Sequence, residues 1–381
     1  MDDIFIYDRG IPVSRIAFGQ DFGDIVKALD ACAGGPLPVY VVADANVERF
    51  ADEIIALTGG EDSGASCRSN IRFCGKYTLK ATEEDKTMDS VLAMADWLLR
   101  QGADRNAFIL AVGGGITTDM AGFAASVYKR GVRFAYVPTT LLSQVDAAIG
   151  GKTGVNFDSY KNMLGVIRQP EFTYICADVL ETLPHRDFLS GAAELVKSFI
   201  IEDGGNYAMA VEFLSGLEDA DNRDAYMAGH MDVLLSLIHS AAAVKAGVVT
   251  RDQFETGERR KLNLGHTFAH AIEKNARLSG DDITHGEAVA IGMAMAAELA
   301  ERTGIAAPGF AKSLKKDFSK AGLPSACPYP VPQLSRPWEG TRRLKTESCI
   351  SSCRPLSAMC GYATWNCPPQ SAVCNHIFGT T

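Results

Sequence analysis

Three histidines and one glutamate in the second half of the chain could together hold a divalent metal ion. They are Glu194, His266, His270 and His285. His266 and His270 are four residues apart, so they would share one face of a helix. One carboxylate with two imidazoles is a ligand set typical of catalytic zinc, which keeps a coordination position open for substrate. The spacing does not decide which histidines bind the metal, and a helical histidine pair is more often structural than metal-binding.

A run of three glycines at residues 113–115 follows an apolar strand pattern and precedes a helical pattern. Glycines allow the backbone to approach a pyrophosphate, and the start of a helix supplies positive potential there. Asp44, at the end of an earlier predicted strand, could accept hydrogen bonds from ribose hydroxyls. Together they favour NAD over NADP, because a carboxylate repels a 2′-phosphate. Taken singly, each feature fits a tight turn or a cap equally well or better.

Basic and amide side chains form a third set, suited to a substrate that carries phosphate and carboxylate groups. A single lysine is more often a solvated surface residue, so this interpretation depends on convergence, which a sequence cannot show. The members are Lys152, Lys161, Asn162, Lys197, Lys245, Arg259 and Asn263.

These residues lie in two segments whose hydrophobic patterns differ. Residues 1–176 alternate short apolar runs with helical patterns, which predicts a Rossmann-like α/β NAD-binding domain with a mainly parallel sheet. Residues 177–334 have helical periodicity, which predicts an all-α domain for metal and substrate. Strands are predicted at 39–42, 108–112 and 134–137, and helices at 187–202, 224–250, 265–277 and 286–303.

Composition restricts the classes of function. The chain has 381 residues and a net charge of −9, which argues against nucleic acid as the main partner, since phosphate backbones need a basic surface. The acidic N-terminus does not resemble a signal peptide, and no apolar run long enough to span a membrane is apparent. We therefore expect a cytoplasmic protein with no membrane partner.

Several segments resemble the 3-dehydroquinate synthase family, within the sugar phosphate cyclases. They follow one another in the family's order over about residues 35–330, and their combination is specific. The segments are 113–119, 130–131, 138–142, 146 with 150–153, 161–162, 191–197, 259 with 262–267, 270–273 and 285–288.

The resemblance implies a lyase that converts 3-deoxy-D-arabino-heptulosonate 7-phosphate to 3-dehydroquinate and phosphate, a step of the shikimate pathway. The reaction would combine transient oxidation by NAD, phosphate elimination, reduction and an intramolecular aldol closure. One divalent cation per subunit, zinc or cobalt, would be required, and the enzyme would be a homodimer. The alternatives are a valiolone- or inosose-type cyclase, a zinc polyol dehydrogenase of the glycerol dehydrogenase type, and an inactive product.

The resemblance also implies roles for individual residues. Glu194, His266 and His285 would hold the metal, and His270 would bind the substrate phosphate and transfer protons. Glu255 would be an acid/base or orienting group, and Arg130 would reach the phosphate across a dimer interface. The other substrate-binding residues would be Asp146, Lys152, Asn162, Lys197, Lys245, Arg259 and Asn263. The NAD-binding residues would be Asp44, Asn46, Glu83, Lys86, Gly114, Gly115, Ile116, Thr117, Asp119, Thr139, Thr140, Lys161 and Thr182.

Residues 335–381 break the pattern, because neither helical nor strand periodicity persists there. The family's last segment opens on Arg-Asp-Lys-Lys, whose second lysine binds substrate. Codons compatible with residues 337–343, read in a shifted frame, encode Met-Gly-Arg-Asp-Lys-Lys, and the shifted reading continues with strand-like character. We predict a frameshift near residues 334–337 that leaves a poorly ordered tail with reduced or absent activity. The alternative is a metal or disulfide site, formed by Cys353, Cys360, Cys367 and Cys374.

Overall fold

The structure, a computed structural model, describes residues 1–59, 70–158, 160–330 and 333–334. These residues form two compact units. The first comprises Met1–Leu183 and Lys245–Gln253, and the second comprises Pro184–Val244 and the described residues from Phe254 onward. The predicted tail at 335–381, with its frameshift and cysteines, lies outside the described residues. The predicted domain boundary after residue 176 stays a prediction.

The first unit contains a seven-stranded sheet and a separate two-stranded sheet. The large sheet has the order β1-β2-β9-β6-β5-β3-β4. Only β1 runs antiparallel to its neighbour in it. The strands are β1 Ile4–Asp8, β2 Ile11–Gly19, β3 Leu37–Asp44, β4 Ile71–Leu79, β5 Phe108–Gly113, β6 Arg133–Pro138, β7 Lys152–Phe157, β8 Tyr160–Ile167 and β9 Phe172–Cys176.

The three strands predicted from the sequence are confirmed, as the neighbours β3, β5 and β6 at the centre of the large sheet. Nearly all their residues are buried, as expected for parallel strands covered on both faces. Helices cross between parallel strands, which agrees with the predicted α/β domain. The helices of this unit are α1 Ile25–Ala31, α2 Glu48–Gly59, α3 Met88–Arg100 and α4 Gly115–Val127.

An antiparallel hairpin of β7 and β8 was not predicted from the sequence. Most residues of β8 are exposed, so this strand carries no alternation of apolar and polar residues that would identify it. The hairpin nevertheless carries three residues of the predicted NAD and substrate sets, which are Lys152, Lys161 and Asn162. Two of its residues, Asn156 and Lys161, also contact Glu83 of the predicted NAD set.

The second unit is all-α over its described residues, as predicted. Its helices are α5 His185–Glu202, α6 Gly204–Asp219, α7 Arg223–Gly229, α8 Met231–Arg251, α9 His266–Ser279, α10 His285–Arg302 and α11 Phe310–Lys320, with the last turns of α8 belonging to the first unit.

The single helix predicted at 224–250 is wrong, because α7 and α8 are separated at His230. His230 leaves the helical conformation, with φ −129° and ψ 23°. Its ring stacks on Tyr226 at 4.0 Å between ring centroids, and its Nδ1 lies 2.8 Å from the carbonyl oxygen of Tyr226. The last residue of α7 is Gly229, and glycine has a low helix propensity, which favours a helix end there.

Helix α8 is also long and apolar enough to cross a membrane, by length and composition alone. Its mean hydropathy is 1.7 over the most apolar window, and half of that window is buried inside the protein. The helix contains Asp232, Lys245 and Arg251, so it is not the uninterrupted apolar run that the sequence was expected to lack. Leu237, Ile238 and Ala241 are fully buried, and the core helix of a folded domain has the same composition.

Candidate metal and cofactor sites

Glu194, His266 and His285 come from three helices of the second unit, and the structure brings them together. Their ligand atoms all lie within 4.8 Å of one another. Oε1 of Glu194 lies 3.7 Å from Nε2 of His266 and 3.5 Å from Nε2 of His285. Tetrahedral zinc with bonds of about 2.0–2.1 Å places neighbouring ligand atoms about 3.3 Å apart. The three side chains therefore fit one such cation.

Close packing of the helices positions these ligands. A Cβ at Gly286 would lie 2.1 Å from the backbone oxygen of Ser190, so only glycine allows α10 to approach α5 this closely. The N–H of Gly286 donates to Oγ of Ser190 at 3.0 Å. A capping box between Thr284 and Glu287 fixes the start of α10 at His285.

The metal candidates lie in a largely buried, charged environment. The side chain of Glu194 is 1% exposed and forms an ion pair with Lys197, which is 2% exposed. Burial and the charge of Lys197 lower the pKa of His266 to about 3, so this imidazole is neutral and can act as a ligand. Burial acts to lower the pKa of His285 too, but hydrogen bonds and charges of Glu194 and Glu273 outweigh it and raise the pKa to about 9.

His270 lies beside this cluster but outside it. Its ring centroid is 5.7 Å from that of His266, and the residue is exposed on α9. The geometry thus places His266 and His285 in the cluster and His270 outside it, a distinction that the sequence spacing did not give. Nearby in the chain, Nδ2 of Asn263 donates to Oε1 of Glu255 at 2.6 Å, while Arg259 is almost fully buried.

The glycine run connects β5 to α4. Gly113 ends the strand, Gly114 is the N-cap and Gly115 begins the helix. A Cβ at Gly113 would lie 2.6 Å from Oγ1 of Thr117, and one at Gly114 would lie 3.1 Å from Cγ2 of Thr140. The absence of side chains leaves the backbone open at the helix N-terminus, which suits a pyrophosphate.

Asp44 ends β3, the neighbour of β5, so its carboxylate lies at the same sheet edge as the glycine run. Its Oδ1 accepts hydrogen bonds from N and Nδ2 of Asn46, at 3.0 and 3.2 Å. Burial raises the pKa of Asp44, although these hydrogen bonds act to lower it. The turn role and the ribose-binding role considered for Asp44 are therefore compatible.

Lys86 is buried and connects two residues from different predicted sets. Its Nζ lies 2.5 Å from Oδ2 of Asp119 and 2.6 Å from Oδ1 of Asn162. Asn162 was expected to bind substrate, whereas Lys86 and Asp119 were expected to bind NAD. In this structure the three side chains form one network.

Asn156 extends this network, and sequence reasoning missed it. Its Nδ2 donates to Oε2 of Glu83 at 2.9 Å, and its Oδ1 accepts from the N–H of Asn162 at 2.9 Å. Lys161 approaches Glu83 to 3.8 Å. An asparagine inside an unrecognised strand gives no sequence signal of such a role.

The remaining predicted residues have varied surroundings. Lys245 and Asp146 form an ion pair within the first unit, and Oγ1 of Thr182 accepts from Arg49 at 2.7 Å. Arg130 is exposed in a turn with positive φ, 68°, and Lys152 is exposed at the start of β7. Ile116 and Thr117 lie in the first turn of α4, and Thr139 and Thr140 follow β6.

Glu273 was given no role from the sequence. Its Oε1 lies 3.3 Å from Nδ1 of His285. The available signal was its position on α9, seven residues after His266 and three after His270, which places all three on one helix face.

Two family models match adjacent parts of the chain. The model for the N-terminal part of 3-dehydroquinate synthase matches residues 76–190, and that for the C-terminal part matches residues 191–339. Curated relatives agree. The 3-dehydroquinate synthase of Acidithiobacillus ferrooxidans is 41% identical over 302 residues, which are 79% of this chain and 78% of that protein. The Acinetobacter baylyi enzyme is 44% identical over 250 residues, 66% of each chain.

Two solved structures of synthases share the fold. A 2-deoxy-scyllo-inosose synthase complexed with carbaglucose-6-phosphate, NAD+ and Co2+ is 24% identical, with a TM-score of 0.71, over 92% of this chain and 88% of that one. A 2-epi-5-epi-valiolone synthase of Streptomyces hygroscopicus with NAD+ and Zn2+ bound is 25% identical, with a TM-score of 0.70, over 95% and 96%. On the family models and the curated relatives, the chain belongs to the 3-dehydroquinate synthase family.

Proposed function

We propose that this protein is an NAD- and metal-dependent 3-dehydroquinate synthase. It converts 3-deoxy-D-arabino-heptulosonate 7-phosphate to 3-dehydroquinate and phosphate. The single observation that carries the metal-dependent chemistry is the cluster of Glu194, His266 and His285, whose ligand atoms lie within 4.8 Å of one another. Curated relatives with this activity, at 41–44% identity, support the choice of substrate.

The donor set favours a borderline cation such as zinc or cobalt, since imidazole nitrogen is a poor ligand for magnesium and calcium. The glycines at 113–115 and Asp44 fit NAD, and the similar valiolone synthase carries NAD+ and Zn2+. When bound, NAD supplies reversible hydride exchange with a substrate alcohol, and the cation supplies Lewis acidity toward substrate oxygens.

The chain's own residues would bind and orient the substrate. Lys197 and Arg259 are buried cations of the second unit, which suit the carboxylate and phosphate of the substrate. His270, exposed beside the metal cluster, can hold a proton close to the substrate phosphate. Fixed orientation of a reactive sugar acid accelerates elimination and ring closure without a separate base for every step.

We also propose that the enzyme is a cytoplasmic homodimer, with a small sugar acid phosphate as its partner molecule. Under this proposal Arg130, exposed in its turn, contacts the phosphate bound by the other subunit. The N–H of Gly131 donates to the carbonyl oxygen of Tyr128 at 2.8 Å, which closes the turn that carries Arg130.

The activity is tested with the seven-carbon sugar acid phosphate and NAD in an amount far below that of substrate. We expect stoichiometric release of phosphate and formation of dehydroquinate, with no net accumulation of NADH. NADH that accumulates in proportion to substrate would indicate a dehydrogenase instead. Turnover of a sugar phosphate that lacks a carboxylate, without turnover of the sugar acid phosphate, would indicate an inosose- or valiolone-type cyclase.

The predicted frameshift gives a second prediction, on the activity of this chain. A gene in which the frame is restored near residues 334–337 should give a product with about 10-fold or more higher turnover, because a charged substrate contact is regained. The measurement compares the two purified proteins under the same assay. DNA sequencing across the junction is the control, and one intact frame through residue 381, with equal turnover of both proteins, would contradict the frameshift.

A further inference from the structure

The two candidate histidine ligands have different partners on the nitrogen that faces away from the cluster. Nδ1 of His266 lies 3.3 Å from the backbone oxygen of Leu264. Nδ1 of His285 lies 3.3 Å from Oε1 of Glu273. Each partner is a hydrogen-bond acceptor, so each Nδ1 carries a proton, and the neutral form of each ring then offers the lone pair of Nε2 to a metal ion. One partner is neutral, whereas the other is a carboxylate.

Glu273 is held away from bulk water. Its side chain is only 9% exposed, and it lies on α9, within the same unit as α10. Its Oε1 contacts Nδ1 of His285, while Nε2 of the same ring faces Oε1 of Glu194 at 3.5 Å. The two ring nitrogens point in diverging directions, so Glu273 lies behind the ligand and does not complete the set of metal-binding atoms.

We propose that Glu273 is a positioning residue for the metal, acting through His285. The inference rests on the proposed function, since it takes Glu194, His266 and His285 as the metal ligands. The carboxylate fixes the ring orientation and the tautomer of His285, and its charge makes Nε2 a stronger donor.

His285 needs this support more than His266 does. The side chain of His285 is 31% exposed, whereas that of His266 is 15% exposed. His285 is also the first residue of α10, so no preceding turn of its own helix packs against its ring. The hydrogen bond to Glu273 supplies the restraint that packing does not.

The charge of Glu273 also matters for the cluster. Glu194 and Glu273 contribute two negative charges, and Lys197 contributes one positive charge. The net charge of these three side chains is therefore −1, and this negative charge favours the binding of a dication. Replacing the carboxylate with an amide would remove that charge while keeping an oxygen acceptor of the same reach.

Zinc affinity tests the inference. Metal-free protein is titrated with zinc in competition with a chromophoric chelator, for the wild type, Glu273→Gln and Glu273→Ala. We expect Glu273→Ala to bind zinc about 10–100-fold more weakly and Glu273→Gln to lie between it and the wild type. The matched control is Glu298→Gln on α10, whose partner is Lys315, and it should bind zinc as the wild type does.

A second readout separates positioning from general damage. In protein loaded with cobalt(II), the visible absorption bands should shift in both Glu273 variants and stay unchanged in Glu298→Gln. Circular dichroism and the melting temperature verify the fold, and if Glu273→Ala fails to fold, Glu273→Gln decides.

The outcomes are distinct. Wild-type affinity and an unchanged cobalt spectrum in Glu273→Gln and Glu273→Ala would overturn the inference and leave the proposed metal site intact. A wild-type protein that binds neither zinc nor cobalt would overturn both.

Discussion

Replacing His266 with alanine is expected to abolish stoichiometric zinc binding and to reduce phosphate release by more than about 100-fold, since loss of a ligand exceeds the effect of losing a ligand's supporting partner. Nε2 of His266 lies 3.7 Å from Oε1 of Glu194. Without this imidazole only two of the three ligands remain. The measurements are metal content after dialysis and the turnover of the sugar acid phosphate.

His266 is a better residue to substitute than Glu194, because its removal leaves no buried charge without its ion-pair partner. Burial and Lys197 keep the pKa of His266 at about 3, so the neutral ring contributes no charge at pH 7. Removing Glu194 would instead leave Lys197 buried without the ion pair it makes now. Such a change costs about 3–5 kcal/mol, and unfolding could then be mistaken for loss of metal.

The control for His266→Ala is His230→Ala, which removes an imidazole of the same unit outside the metal cluster. His230 stacks on Tyr226 at 4.0 Å between ring centroids. We expect its zinc content to match the wild type. Full zinc content and wild-type turnover in His266→Ala would show that the metal is held elsewhere.

The buried parallel strands could be predicted from the sequence, whereas the hairpin could not. Strands β3, β5 and β6 are continuous apolar runs that end in Asp, Gly and Pro, and burial on both faces requires such runs. Strand β8 is mostly exposed, so its pairing is fixed by β7 rather than by an apolar pattern. The same long-range dependence hid the role of Asn156.

The metal candidates could be collected from residue types, but their geometry depends on packing between helices. The i, i+4 spacing drew attention to His266 and His270 equally. The close approach of α10 to α5 at Gly286 and Ser190 places His285, and not His270, against Glu194. Partners such as Glu273 are separated from their histidine by a change of helix, which periodicity cannot describe.

Replacing Lys86 with methionine is expected to destabilise the first unit by about 3–5 kcal/mol, as for other buried pairs that lose one partner. Methionine keeps much of the apolar stem, so the loss comes mainly from the charge. Asp119 loses its nearest cation, at 2.5 Å, and Asn162 loses a donor at 2.6 Å. The midpoint of urea unfolding measures the change, and NAD affinity should fall with it.

The destabilisation should depend on pH. Burial already raises the pKa of Asp119, and attraction to Lys86 and, more weakly, to Lys245 opposes that rise. Without Lys86 the pKa rises further above its value in the unfolded chain, so the folded variant binds a proton more tightly than the unfolded one does. Stability of Lys86→Met therefore falls as pH rises through the raised pKa of Asp119, and the deficit is larger at about pH 8 than at about pH 5.

The double variant Lys86→Met with Asp119→Asn isolates the cause, because it removes the carboxylate that would otherwise stay buried beside an apolar side chain. We expect it to regain a large part of the stability lost by Lys86→Met and to lose the pH dependence. Lys27→Met is the matched control, since its ion pair with Asp24 is exposed and should not change the unfolding midpoint measurably. A double variant as unstable as Lys86→Met at both pH values would show that the loss arises from packing of the lysine stem, and that the charge network contributes little to holding the first unit together.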